Sequence, residues 1–187
     1  MWFNSAQIYQ YKLDETIELS TLLAEDILKP CPPHARFIYG WLPTITEELV
    51  HEVAGSQLIC MGKEERILPK AVINKLLAEK IQLLENQQNR KVKRAEKAQM
   101  AEDLEFELLP KSFCIQKRMN AIFDTMNNNL IVNAGSSNQA SQLLSLVRKS
   151  IPGITIEPLA IDQNLAIRFA QWISSPDTLP EHFQLAS

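Results

Sequence analysis

The chain has 187 residues, 45% hydrophobic and 22% charged, with 19 Lys and Arg against 22 Asp and Glu for a formal net charge of −3. This apolar fraction excludes wholesale disorder, and the length lets one domain, or one domain with an appendage, bury a core without covalent staples. The net charge argues against a polyanionic partner only until it is divided: residues 1–62 hold 3 basic and 8 acidic side chains, residues 63–118 hold 13 and 9, and residues 119–187 hold 3 and 5, so the middle third is a basic island between acidic flanks.

Tyr9, Tyr11 and Leu13 alternate with polar residues and predict a strand. A short helix follows, with Leu19, Leu22, Leu23 and Ile27 on one face, Ser20 as a possible N-cap and Pro30 as its stop. Residues 36–42 are dense in β-branched and aromatic side chains and end at Pro43, which predicts a second strand. Residues 50–53 and 57–61 flank Ala54-Gly55-Ser56 and read as a hairpin whose second strand runs on toward Pro69. From Pro69, a good first helical residue, Ile73, Leu77, Ile81 and Leu84 make an apolar stripe that stops before Glu85. Hydrophobicity returns at Leu104, Phe106, Leu108 and Leu109. Residues 69–109 therefore predict two antiparallel helices joined near residues 87–91, with little to bury at the far end.

After Pro110 strands resume. Ala121, Phe123 and Thr125 alternate, residues 126–129 make an Asn-rich turn, and residues 130–133 pair back. Ser136 or Ser137 caps a helix with Ala140, Leu143, Leu144, Val147 and Ile151 inward. Arg148 and Lys149 sit in its last turn, and Pro152-Gly153 ends it. A strand at 154–159 precedes a last helix, with Asp162 as cap and Leu165, Ala166, Phe169 and Ile173 inward, and the tail from Ser174 reads as a linker. The order defines an α+β fold: a mixed or antiparallel sheet with packed helices and an inserted, projecting helical hairpin arm. Residues 1–68 and 112–187 form the central domain, and 69–111 the arm.

Arg90, Lys91, Lys93, Arg94 and Lys97 fall within eight positions of the arm. On one continuous helix, Arg90, Lys93, Arg94 and Lys97 would share an arc of about 100°, with Glu85 and Glu96 near the opposite side. A one-sided basic stripe can follow a phosphate backbone, each cation displacing condensed counterions. A solvated polar helix face is the commoner meaning of such a run. Phe113, near Lys111 and Lys117, is an aromatic among cations, suited to wedging on nucleic acid or to a subunit interface.

Enzyme signatures fail in their details. His51-Glu52 opens like a zinc-protease motif, but Gly55 stands where the second His belongs. Gly55 and Gly62-Lys63 are spaced wrongly for a phosphate loop, and Glu64 replaces its Ser or Thr. Cys31 and His34 lack a second ligand pair, and Asp124 suits a strand rim better than a carboxylate pair. Cys31, Cys60 and Cys114 form no CxxC pair, which fits reduced thiols. With neither a secretory pattern nor an apolar run of spanning length, the expectation is a soluble cytoplasmic protein with no cofactor and no metal.

Across nearly its whole length the chain resembles the RdgC family of recombination-associated proteobacterial proteins. The resemblance runs through Trp2-Phe3, Ile8-Tyr9, Gly40-Trp41-Leu42-Pro43 and residues 53–57. It is densest at residues 59–69 and continues in Lys80-Ile81, residues 90–97, residues 108–113, Asp124-Thr125, residues 146–150 and residues 183–185. It implies a non-catalytic binder of double-stranded DNA with little sequence preference, associated with the nucleoid and restraining the strand-exchange recombinase. It also implies a ring-shaped homodimer closed tip to tip and base to base. On this resemblance the arm is the tip. Arg90, Lys91, Lys93, Arg94 and Lys97 become candidate DNA contacts, Lys63, Arg66, Lys80 and Lys111 further candidates, and Phe113 a dimer contact or DNA wedge. Family members continue beyond residue 187, so most of the base is expected to be missing and ring closure is in question. The rival expectation is a protein-interaction or dimerisation module that uses the arm without binding DNA.

Overall fold

A computed structural model describes residues 3–13, 18–45, 47–159 and 165–178. Its centre is a seven-stranded sheet: β1 (Gln7–Lys12), β2 (Phe37–Leu42), β3 (Val50–Val53), β4 (Ser56–Ile67), β5 (Phe113–Asp124), β6 (Asn129–Val132) and β7 (Thr155–Pro158). The order is β2-β4-β5-β6-β1-β7, and every strand pair is antiparallel. The fold is α+β, as the element order predicts. β4 is long enough to take β3 along its first residues and β2 along its later ones on the same side, while β5 accompanies it from end to end. The β3–β4 turn places Ala54 and Gly55 at φ 48° and 76°, the positive pair that a two-residue hairpin turn requires.

Helices α1 (Leu19–Glu25) and α4 (Ser137–Ser150) cover one face of this sheet. Alternation sends Tyr9, Tyr11, Ile59, Met61, Ala121, Phe123, Leu130 and Val132 toward them, and all are buried. α4 meets this face with Ala140, Leu143, Leu144 and Val147. Ser136 is its cap, accepting from the Gln139 N–H at 3.3 Å.

Three expectations need correction. Ser20 does not cap α1: its hydroxyl donates to the Glu18 carboxylate at 3.0 Å. Ile27 is not on the helix face, because α1 ends at Glu25 and the chain turns to follow β2. There the Trp41 N–H donates to the Asp26 carbonyl, and the Leu28 N–H to the Trp41 carbonyl, at 2.8 and 2.9 Å. The sheet edge captures the segment before Pro30 can stop a helix. Gly40 permits this passage, since a Cβ there would lie 2.4 Å from the Leu28 Cα. Finally, in α5 (Leu165–Ser174) Phe169 and Ile173 are exposed rather than inward. The helix lies chiefly against the short turn Pro176–Thr178. Asp162 and residues 179–187 lie outside the described residues, as do the side chains of Leu165 and Ala166.

The tie between helix layer and sheet is polar and internal. Trp41 is fully buried, and its indole N–H donates to Ser150 Oγ at 2.8 Å. Ser150 in turn donates to Asp26 Oδ2 at 2.7 Å, and Lys149 pairs with the other carboxylate oxygen. The hydrogen bond from Lys149, followed by that from Ser150, holds the Asp26 carboxyl below its ordinary range. Replacing Ser150 with Ala strands a buried indole donor and is expected to cost about 1–3 kcal/mol in urea unfolding. Because folding lowers the Asp26 pKa, its contribution is complete at neutral pH and is lost as pH falls below about 4. The stability difference between wild type and Asp26→Asn should therefore shrink through that acid range, and a constant difference from pH 7 to pH 3 would contradict the linkage.

Candidate functional site

The arm enters between two paired strands. β4 ends at Ile67, whose partner across the ladder is Phe113 of β5, so both roots of the arm leave from facing positions. α2 (Lys70–Gln88) climbs away and α3 (Arg94–Leu108) returns against it. Pro69 stands just outside α2 with an extended ψ of 135°, so the helix starts one residue later than expected. Ile73 and Leu104 are the buried side chains of the two helices. Leu77, Ile81 and Leu84 are half-buried.

The five arm cations do not share one helix. Asn89 takes the left-handed conformation at φ 50° and ends α2, and residues 90–93 form the connection into α3. This break folds the two carboxylates expected on the opposite side into the tip itself. Glu85 accepts from the Val92 N–H at 3.0 Å and pairs with Lys91 at 2.9 Å, while Val92 is buried beneath it. Glu96 receives Arg90 in a two-pronged contact, both bonds 2.8 Å. Lys91 holds the Glu85 carboxyl below its usual range, and Arg90 does the same for Glu96. Lys93, Arg94 and Lys97 form no ion pair among the described residues. All three are exposed at the start of α3, where the helix dipole adds its own positive end.

The remaining candidates lie nearer the body. Lys80 and Lys111 share Glu107, at 3.7 and 3.1 Å. Lys63 sits on β4 with its side chain 18% exposed, paired with Glu65 at 3.0 Å and lying 4.8 Å from the Phe37 ring centre. Phe113 is 85% exposed at the arm's root. Arg66 is spent at the joint. Its Nε donates to the Pro32 carbonyl at 3.1 Å and its Nη2 to the Cys31 carbonyl at 3.0 Å. Its Nη1 faces the carbonyls of Leu109, Pro110 and Ser112 at 3.2–3.3 Å. Two contacts reinforce this joint: Arg36 Nε donates to Glu105 at 2.7 Å, and His34 stacks on Phe106 with ring centres 4.0 Å apart. Each partner lies far from the other in the chain, and nothing local in the sequence marks either pair.

The enzyme-like fragments have structural employment. Cys31 is buried, donates to the Ala35 carbonyl at 3.3 Å, and has its thiol pushed up by burial. Asp124 organises the β5–β6 turn, accepting from the Asn127 side chain at 2.7 Å and from the Met126 and Asn127 N–H groups. Its carboxyl is lowered chiefly by that Asn127 contact. Gly62 lies mid-strand opposite Gly40 and Arg118, not in a phosphate-binding loop. Glu52 accepts from the Gln57 amide at 3.1 Å. Among the described residues no group of three or more His, Cys, Asp or Glu is placed to hold a metal ion, and no helix is long and apolar enough to cross a membrane.

The molecule is thus a one-sided α+β domain whose longest strand pair carries a helical arm, with unneutralised cations gathered at the arm's tip. A family model described as "Putative exonuclease, RdgC" matches residues 1–187. The chain is 34% identical over 193 residues to the recombination-associated protein RdgC of Pseudoalteromonas translucida, covering 100% of this chain. It is 32% identical over 191 residues to proteins of the same name from Salmonella paratyphi B and Salmonella typhimurium, covering 99% of this chain. The chain belongs to the RdgC family, and it spans 63% of the length of each of these relatives.

The joint makes a testable demand. Lys cannot reproduce a planar fork that serves two separate backbone segments. Arg66→Lys is expected to cost on the order of 2 kcal/mol in urea unfolding. Loosening of the arm should also appear as faster proteolysis within residues 109–112. Unchanged stability with unchanged cleavage would show that the joint does not depend on the guanidinium.

Proposed function

We propose that this chain binds double-stranded DNA without sequence preference, by electrostatic contact between its arm and the phosphate backbone, and that it does so without catalysis. The observation that carries this reading is the cluster of Lys93, Arg94 and Lys97, three exposed cations that form no ion pair among the described residues where Arg90 and Lys91 do. Phosphates are suited to fill that deficit, since each neutralised phosphate releases condensed counterions. The relatives' name, recombination-associated protein, supports a role in homologous recombination. Within that role we assign restraint of the strand-exchange recombinase on nucleoid DNA, by a homodimer whose arms meet around the duplex. Phe113, exposed at the arm's root, is the side chain offered to the partner or to the DNA. In this reading Arg66, Lys80 and Lys111 shape the arm, and Arg90 and Lys91 order the tip.

The test is fluorescence anisotropy of the chain with two unrelated labelled duplexes across a salt series. Contact by three cations is expected to contribute about −2.7 to the slope of log K against log salt, from about −0.9 per phosphate. Replacing Lys93, Arg94 and Lys97 together with Gln should remove that contribution equally for both duplexes. Salt-independent binding, or loss confined to one sequence, would overturn the reading. The same duplexes incubated with magnesium should stay full length, and progressive shortening would replace binding with the nuclease activity in the family model's description. If Phe113→Ala or the triple variant instead abolishes self-association while DNA affinity is unchanged, the arm is a protein-interaction module.

A further inference from the structure

A second basic feature lies away from the tip, on the helix-bearing face of the sheet, beside α4 where the helix stops covering β4 and β5. Along β5, β6 reaches only Ala121–Asp124 and then turns away toward α4, its last tie being the Asn133 N–H to the Asn120 carbonyl at 2.9 Å. The divergence opens a cleft of about 320 Å³. Met61 and Met119, direct partners across the β4–β5 ladder, form part of its lining, with the amide side chains of Asn133, Gln139 and Gln142. Beside them stand Lys63 and Lys117, also direct partners on adjacent strands.

Like charges placed opposite one another weaken a sheet. Here the pair shares a single carboxylate: Glu65 lies 3.0 Å from Lys63 and 2.9 Å from Lys117. The group retains one net positive charge. Lys63 lies against the Phe37 and Tyr39 rings at 4.8 and 6.0 Å, whereas the Lys117 side chain is 60% exposed and has only Glu65 as an ion-pair partner among the described residues. Charge, amide donors and a concave shape together suit an anion with several acceptor oxygens.

We infer that this cleft is a phosphate-binding subsite in which Lys117, with Lys63 behind it and the Gln139, Gln142 and Asn133 amides around it, holds a phosphate group. The inference rests on the DNA-binding reading when that phosphate belongs to a duplex backbone; a free phosphorylated molecule presents the same chemistry. Glu65 acts as the competing counter-ion, which the arriving phosphate displaces from Lys117.

Lys117→Gln and Glu65→Gln variants of the full chain, titrated with labelled duplex and separately with inorganic phosphate, test it. Lys117→Gln is expected to lower the salt slope for duplex by about 0.9, and Glu65→Gln to strengthen binding by removing the competitor. Loss of phosphate binding in Lys117→Gln with duplex binding unchanged would identify a free phosphorylated molecule as the ligand. If both variants match wild type in both titrations, the subsite does not exist. The arm variant separates the two proposals. Duplex binding lost there and kept in Lys117→Gln, with phosphate binding also unchanged, removes the cleft and leaves the arm. Phosphate binding that needs Lys117 in a chain that binds no duplex leaves the cleft and removes the DNA-binding reading.

Discussion

One guanidinium settles where the arm stands. Arg66 is near the end of β4, and its N–H groups reach carbonyls of residues 31, 32, 109, 110 and 112. Those carbonyls belong to a proline-rich loop and to the end of the returning arm. Backbone acceptors at a helix end and in an irregular loop have no ladder to satisfy them. A single planar cation meets both needs and in doing so joins the segments to each other. Arg36–Glu105 and the His34–Phe106 stack lie around the same joint. A long lever with few buried side chains of its own can present its tip reproducibly only if its root is fixed, so tip chemistry depends on this joint.

The sequence was most legible where burial is periodic. The stripe of Ala140, Leu143, Leu144 and Val147 places α4, and the alternation of Ala121 and Phe123 places the inner half of β5. It was least legible where hydrogen bonding rather than burial makes the element. Residues 113–118 are exposed and show no alternation in burial, yet they form strand because β4 supplies a partner at every position. Ile27 fails for the complementary reason: its spacing fits a helix, but the free edge of β2 offers bonds that a short helix end does not. At the tip, the cations and carboxylates were visible as residue types and a joint between two helices was expected near residues 87–91, but the pairings that the break at Asn89 creates were not visible. That break turns an expected stripe with acids behind it into two neutralised cations and three open ones. Lys63 and Lys117 lie far apart in the chain, and only the β4–β5 register shows that they face each other.

That register also explains why a summed charge misleads. The segment 63–118 contains nine acidic residues, and five of them, Glu65, Glu85, Glu96, Glu105 and Glu107, are engaged in ion pairs. They neutralise cations along the sheet, at the arm's flank and in the turn, and even Glu96, in the first turn of α3, is paired with Arg90 rather than with Lys93, Arg94 or Lys97. Arg66 and Arg118 direct their guanidinium groups at backbone carbonyls, so neither is an open cation in the same sense. What a polyanion meets is therefore set by which pairs the fold closes. A chain with net charge −3 can present a strongly positive tip because its carboxylates are fixed elsewhere, and a distant acidic flank does little across more than a Debye length of about 8–10 Å.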